Sequence, residues 1–295
     1  MKALLKRIYR LIPFKQELFY VLKKIWRPKE SIYKHLHFVG VFKVNIDNSR
    51  MFKIKHFGYQ LENEIFWAGL TGGWEKESSK LWIELCRESE VIFDIGANTG
   101  VYSLIAKAMN QKAKVYAFEP VGRVFSKLQE NIALNNFGIV PIEKAVSNSD
   151  GTAVIYDTPA EHTYSVTVNK NLSSPETRVI ETKIETITLN SFIRQNDIKR
   201  VDLIKIDVET HEPEVLEGFS DYLFQFKPTL LIEILNDEIG ARVDKIVRGL
   251  GYLYFNIDER GTIRQVDKIE KSDYYNYLLC TSDIATKLGV RRNGL

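Results

Sequence analysis

Residues 91–103 read VIFDIGANTGVYS. The apolar run Val91-Ile92-Phe93 has the length and bulk of a buried strand. Asp94 stands at its carboxyl end, Gly96 and Gly100 fall in the turn, and an amphipathic stretch follows. This is a strand–turn–helix that lets something approach the backbone closely.

Working outward, strands and helices alternate. The pattern predicts strands over 91–95, 114–119, 139–145, 201–207, 229–234, 252–257 and 276–281. Between them it predicts helices over 100–109, 121–135, 188–196, 212–219 and 238–250, with a hairpin or edge near 152–156 and 178–184. Such alternation means a mostly parallel sheet covered by helices on both faces. Ligands of these sheets bind beyond the carboxyl ends of the strands, where the strand order reverses. Upstream, a helix is expected from Glu77 to Cys86, and β-like pieces from Phe38 to Ile46 and Met51 to His56.

The spacing Asp-x-Gly-x-x-x-Gly at 94–100 is not the Gly-x-Gly-x-x-Gly of a dinucleotide fold, and Asp94 would repel a pyrophosphate. A ligand of mixed charge fits better. S-adenosylmethionine carries a sulfonium, an ammonium and a carboxylate, and Gly96 and Gly100 would remove Cβ atoms from its path. In KVYAFEP, Glu119 ends the second strand before Pro120, where an acid accepts hydrogen bonds from ribose hydroxyls. A structural cap or salt bridge is the bland alternative for both acids. The third signal is VDLIKIDVETHEPEVLEGF, residues 201–219. Asp207, Glu209, His211 and Glu212 cluster after a buried strand, which is costly unless they are solvated, paired or used. Glu212 also suits a helix cap.

Two cysteines, Cys86 and Cys280, lie far apart in sequence without metal-type spacing, so neither a disulfide framework nor a zinc site is expected. The apolar runs are too short to span a bilayer, and Lys and Arg interrupt those at the start, which predicts no signal peptide and a cytoplasmic location. Net charge is +3 but unevenly spread. Residues 1–34 hold ten Lys/Arg against two Glu, leaving 31 basic and 36 acidic residues elsewhere. This basic arm reads either as a helix packed on its own domain or as an interfacial segment at the inner membrane face. The acidic remainder argues against nucleic acid.

Together FDIGANTGVYS, YAFEP and IKIDVETHEPEVLEG resemble the FkbM family of S-adenosylmethionine-dependent methyltransferases, over roughly residues 75–280. The resemblance implies a class I methyltransferase fold, a Rossmann-like seven-stranded mostly parallel sheet with its last strand antiparallel. It would occupy residues 75–295, behind a basic arm and small β/aromatic cap over 1–74. It implies O-methylation, with a sugar or surface-polysaccharide intermediate as the glycan or small-molecule acceptor. Asp94, Gly96, Asn98, Gly100, Glu119, Pro120, Ala145, Val146 and Asp207 would bind the cofactor, Ala145 and Val146 lying against the adenine. His211, Asp207 and Glu209 are the catalytic candidates, with His211 as base. Asp207, Glu209, His211 and Glu233 are candidates for a divalent cation.

One departure stands out: the family usually has Gly where this chain has Thr210, and a β-branched residue resists positive φ. Either a differently shaped loop or a narrower acceptor pocket is therefore expected. Trp67, Trp74, Tyr156 and Tyr164 are candidate sugar platforms or ordinary core residues. His35, His37, His56 and His162 sit in no comparable cluster. Three other readings compete: a non-catalytic S-adenosylmethionine-binding adaptor in a membrane-proximal glycan-assembly complex, a nucleic-acid methyltransferase and an NAD dehydrogenase. The last two lack their motifs.

Overall fold

A computed structural model describes residues 13–157 and 180–290. The chain opens with α1 (Lys15–Ile25), α2 (Glu30–Tyr33), β1 (Gly40–Asn45), β2 (Met51–His56), α3 (Gln60–Ala68) and α4 (Lys76–Cys86). There follow β3 (Val91–Ile95), α5 (Val101–Met109), β4 (Lys114–Phe118), α6 (Gly122–Ala133), β5 (Ile139–Ile142), β6 (Ala145–Val146), β7 (Gly151–Asp157) and β8 (Ile180–Ile187). Next come α7 (Leu189–Gln195), β9 (Leu203–Ile206), α8 (Glu212–Glu217), α9 (Ser220–Phe226), β10 (Thr229–Glu233) and α10 (Asp237–Val247). The last are β11 (Leu253–Asp258), β12 (Thr262–Val266), β13 (Asn276–Cys280) and α11 (Ser282–Lys287).

The main sheet runs β12-β11-β13-β10-β9-β3-β4-β5. Parallel pairing joins β5, β4, β3, β9 and β10. Strand β13 is antiparallel to both β10 and β11. Without β12 this is the expected seven-stranded sheet; β12 adds an eighth strand, antiparallel at the β11 edge. All five residues of β3 are buried because helices cover both faces, and such a strand carries a nearly continuous apolar run. Order reverses between β3 and β9, so the carboxyl ends of β3, β4, β9 and β10 surround one crevice.

Alternation along the strands feeds two cores. Ile92, Leu203 and Leu231 face one side, with α5. Phe93, Ile204 and Ile206 face the other, with α7, α8 and α10. The first core continues without a break into Phe38, Phe42, Phe52, Ile54 and Phe66 of the segment before α4. There β1 and β2 form an antiparallel hairpin with alternating burial. A small sheet, β6-β8-β7, stands beside the crevice. No described helix is long and apolar enough to cross a membrane.

Candidate active site

The crevice is a cavity of about 350 Å³. Asp94, Gly96, Asn98, Glu119, Pro120, Ala145, Val146, Asp207, Glu209, His211 and Glu233 all line it. Asp94 and Glu119 therefore face the same space from neighbouring strand tips.

Asp94 is buried, and its carboxylate accepts from Ser103 Oγ at 2.6 Å. Burial pushes its pKa up to about 6, against the Ser103 bond and the charge of Lys205. Glu119 accepts from the N–H groups of Val121 at 2.9 Å and Asn98 at 3.1 Å. Burial raises it to about 7. Each Glu119 oxygen keeps a second lone-pair direction, so a pair of ribose hydroxyls remains an acceptable donor set. Asn98 holds φ +52°, and its Oδ1 is buried without a partner. An orphaned acceptor beside two desolvated acids suits a ligand that brings hydroxyls and a cation.

The glycines act differently from expectation. A Cβ on Gly96 would lie 1.8 Å from the Asp207 carbonyl oxygen, and one on Gly100 would lie 2.5 Å from Leu128 Cδ1. Both are needed for contact within the protein, where the sequence reading had them clear a path for the ligand. Gly100, at φ +91°, is the N-cap of α5.

Beyond β9 the chain turns through Glu209 at φ +53° and Thr210 at φ +79°. Thr210 occupies the left-handed region in spite of its branched side chain, at a cost of about 1–3 kcal/mol. Glu212 holds the turn from beneath: its buried Oε1 accepts from Val208 N at 3.3 Å and Thr210 N at 3.2 Å. It thus ties down the loop before α8 and also accepts from its own N–H in the first turn of that helix, while burial raises its pKa to about 7.

His211 is the N-cap residue of α8. Its Nε2 is 3.0 Å from Ser147 Oγ, and its Nδ1 is 3.5 Å from Glu214. Burial lowers its pKa, offset in part by Glu214, so the imidazole is neutral near pH 7. Of the expected cation set, Asp207 and Glu233 are brought together, and Glu209 and His211 line the cavity outside that group. Among the described residues, the acids whose oxygens lie within 4.8 Å of one another are Glu75, Asp207 and Glu233. His211 is outside this group.

Sequence reasoning missed the group's centre. Lys205 is buried, its Nζ lies 3.1 Å from Asp207, and it sits 5.1 Å from the Tyr102 ring centroid. Burial opposes its charge, but Asp207, Glu75 and Glu233 more than compensate, holding its pKa above the ordinary lysine value. Glu75 enters from the turn before α4, accepting from Asn276 Nδ2 at 3.0 Å and from the Tyr102 hydroxyl. Burial raises Glu75, and raises Glu233 to about 9. A fixed ammonium already balances these acids, so the residues do not fit a divalent cation.

Trp67 is a core residue: it is buried, packs on Phe19 and Phe66, and donates from Nε1 to the Leu36 carbonyl at 3.1 Å. Trp74 lines the cavity, edge-on to Tyr102. His56 is buried in the cap beside Asn63. Tyr164, His162 and the side chain of Tyr156 lie outside the described residues.

A crevice at the point of strand reversal, beside a sheet whose antiparallel β13 is inserted between β10 and β11, is the architecture of class I S-adenosylmethionine-dependent methyltransferases. The chain belongs to the FkbM methyltransferase family, whose domain model matches residues 94–254, more than half of it. It is 28% identical over 151 residues to the hexuronic acid methyltransferase AglP of Haloferax volcanii, covering 50% of this chain and 58% of that one. It therefore spans less than two thirds of that relative. It is also 28% identical over 194 residues to the 31-O-demethyl-FK506 methyltransferase FkbM of Streptomyces tacrolimicus, covering 56% of this chain and 74% of that one. The crystal structure of an FkbM methyltransferase from Methylobacillus flagellatus aligns with a TM-score of 0.40 at 15% identity, over 65% of this chain and 43% of that one.

Proposed function

We propose that this protein transfers a methyl group from S-adenosylmethionine to a sugar hydroxyl, as on a surface-polysaccharide intermediate. The observation that carries the reading is the convergence of Asp94 and Glu119 on one cavity that also opens on the Lys205 acid group. The likeness to AglP, a hexuronic acid methyltransferase, supports a sugar acceptor.

In this reading Glu119 holds the ribose, and Ala145 and Val146 pack against the adenine. Asp94 and Asp207 face the methionine end, whose ammonium and sulfonium favour nearby acids. The cofactor supplies an electrophilic methyl group. The chain supplies position, from which most of the rate of an in-line displacement can come. Lys205, pinned by three acids, fixes the Asp207 carboxylate without coordination chemistry. His211 is the base: with Nδ1 turned to Glu214, the neutral ring presents Nε2, now bonded to Ser147, to take the acceptor's proton. Glu209 lines the same mouth and accepts acceptor hydroxyls. Trp74 offers a ring face to the sugar.

The test is titration calorimetry with S-adenosylmethionine, S-adenosylhomocysteine and NAD, then transfer from methyl-labelled cofactor to neutral hexoses, uronic acids and their nucleotide- and lipid-linked forms. The two adenosyl compounds should bind and NAD should not. Label in no glycan, with cofactor binding intact, would overturn the sugar assignment.

A further inference from the structure

Helix α1 is apolar on two sides, and the fold uses one of them. On the inner side Phe19 is buried, with ring centroids 5.4 Å from Trp67 and 6.3 Å from Phe38. Tyr20 packs edge-on to Phe66 at 5.3 Å, and Lys23 donates to the Phe66 carbonyl. These contacts seat α1 on α3. On the outer side Leu18, Val21 and Ile25 repeat at intervals of three and four residues, a single stripe on the helix, 49%, 58% and 78% exposed. Phe14 just before the helix and Trp26 just after it are 78% and 43% exposed. Scattered exposed apolar residues are ordinary, but a helical stripe with an exposed aromatic at each end is not. Lys24, Arg27 and Lys29 flank it, also exposed.

We propose that this stripe docks the protein on an anionic bilayer surface, with α1 lying in the interfacial plane. Charge decides between lipid and a second copy of the chain. Residues 1–34 carry ten basic and two acidic residues, and the remainder 31 and 36. Two copies joined stripe to stripe would bring the same strongly basic patch face to face, since a two-fold interface uses one patch on both subunits. Anionic headgroups neutralise the same residues while the acyl boundary takes the apolar row.

The position of α3 gives the contact a functional meaning. Its Leu61 lines the cavity, and its Glu62 accepts from Thr99 Oγ1 at 3.5 Å, in the turn between β3 and α5. One helix therefore joins the docking face to the cofactor loop. Resting on the methyl-transfer reading, the acceptor class that follows is a glycan carried on a lipid anchor, presented where the enzyme is held.

The test is flotation of the full chain with vesicles of phosphatidylcholine alone and with added phosphatidylglycerol, at low and high salt. The protein should float with the anionic vesicles, and less so at high salt. Leu18→Glu/Val21→Glu, both solvent-facing, should cut the bound fraction roughly tenfold, and Lys24→Glu/Lys29→Glu should remove the preference for anionic lipid. Equal flotation of parent and stripe variant, or no flotation of the parent, overturns the proposal. So does a parent dimer in light scattering that the stripe variant dissociates, which would make the stripe an interface between copies. Affinity for S-adenosylmethionine, measured on the same preparations, should be unchanged by the stripe variant; it fails separately if the cofactor reading is wrong.

Discussion

The Lys205 ammonium lies 3.1 Å from the Asp207 carboxylate, shut away from solvent, with Glu75 and Glu233 completing its surroundings. A lysine buried in a central strand is expensive unless every neighbour needs its charge. Here the Asp207 carboxylate does, with Glu75 and Glu233 close beside it. Protein stripped with a chelator should therefore keep its cofactor affinity and turnover. Lys205→Met should lose about 3–5 kcal/mol of stability, as the breaking of a buried pair does. It should also gain Mn²⁺ binding by electron paramagnetic resonance, which adding Glu75→Gln then removes. Turnover lost from the parent on chelation and restored by Mg²⁺ would show the assignment to be mistaken.

Glu119 has a pKa near 7 in the ligand-free cavity, yet ribose hydroxyls need an acceptor. Binding should therefore release its proton. Affinity for S-adenosylmethionine should rise with pH up to about 7, approaching tenfold per unit well below that value, and level off above it. Glu119→Gln should weaken binding by about 1.5–3 kcal/mol and flatten this profile. A variant that retained both affinity and slope would place the ribose elsewhere.

His211 predicts a different signature. A base whose pKa burial has lowered stays unprotonated into mild acid, so the acid limb of kcat/KM should have its midpoint below the ordinary histidine value of about 6.5. His211→Ala should lower kcat by about 10²–10⁴-fold with cofactor affinity unchanged. A loss of cofactor binding with little change in kcat would make it a structural residue.

Thr210 is strained at φ +79°, and glycine meets no penalty there. Thr210→Gly should raise the thermal midpoint, since about 1–3 kcal/mol of strain relief exceeds the ~0.4–1 kcal/mol that glycine adds to unfolded-chain entropy. Thermal melts of the two proteins decide it; a lower midpoint for the variant would mean that the side chain contributes packing worth more than the strain.

How far the sequence could be read depended on the range of the interactions involved. DIGANTG, FEP and IKID each announce a strand tip within a few residues, and all three fall on one crevice. Glu75 and Lys205 were invisible for the opposite reason. Lys205 sits between Ile204 and Ile206 and reads as the polar side of an alternating strand. Its burial depends on Glu75, and Glu75 is held by Asn276, 201 residues further along. Strand β12, TIRQV, lacks an apolar face and is mostly exposed, so no periodicity marked it. The helix read over 212–219 corresponds to α8, and α9, which begins three residues after it, was not marked. For Thr210, propensity could not show that Glu212, bonded to the N–H groups of Val208 and Thr210, holds the turn in the left-handed region.

The close approach at Gly96 has a kinetic corollary. The turn after β3 and the Asp207 carbonyl leave no room between them even for a methyl group. A molecule that settles against the first must also set the backbone from which Asp207, Glu209 and His211 extend. On the proposed methyl-transfer reading, initial-rate kinetics should therefore show compulsory order, the methyl donor entering first and one product inhibiting competitively with it.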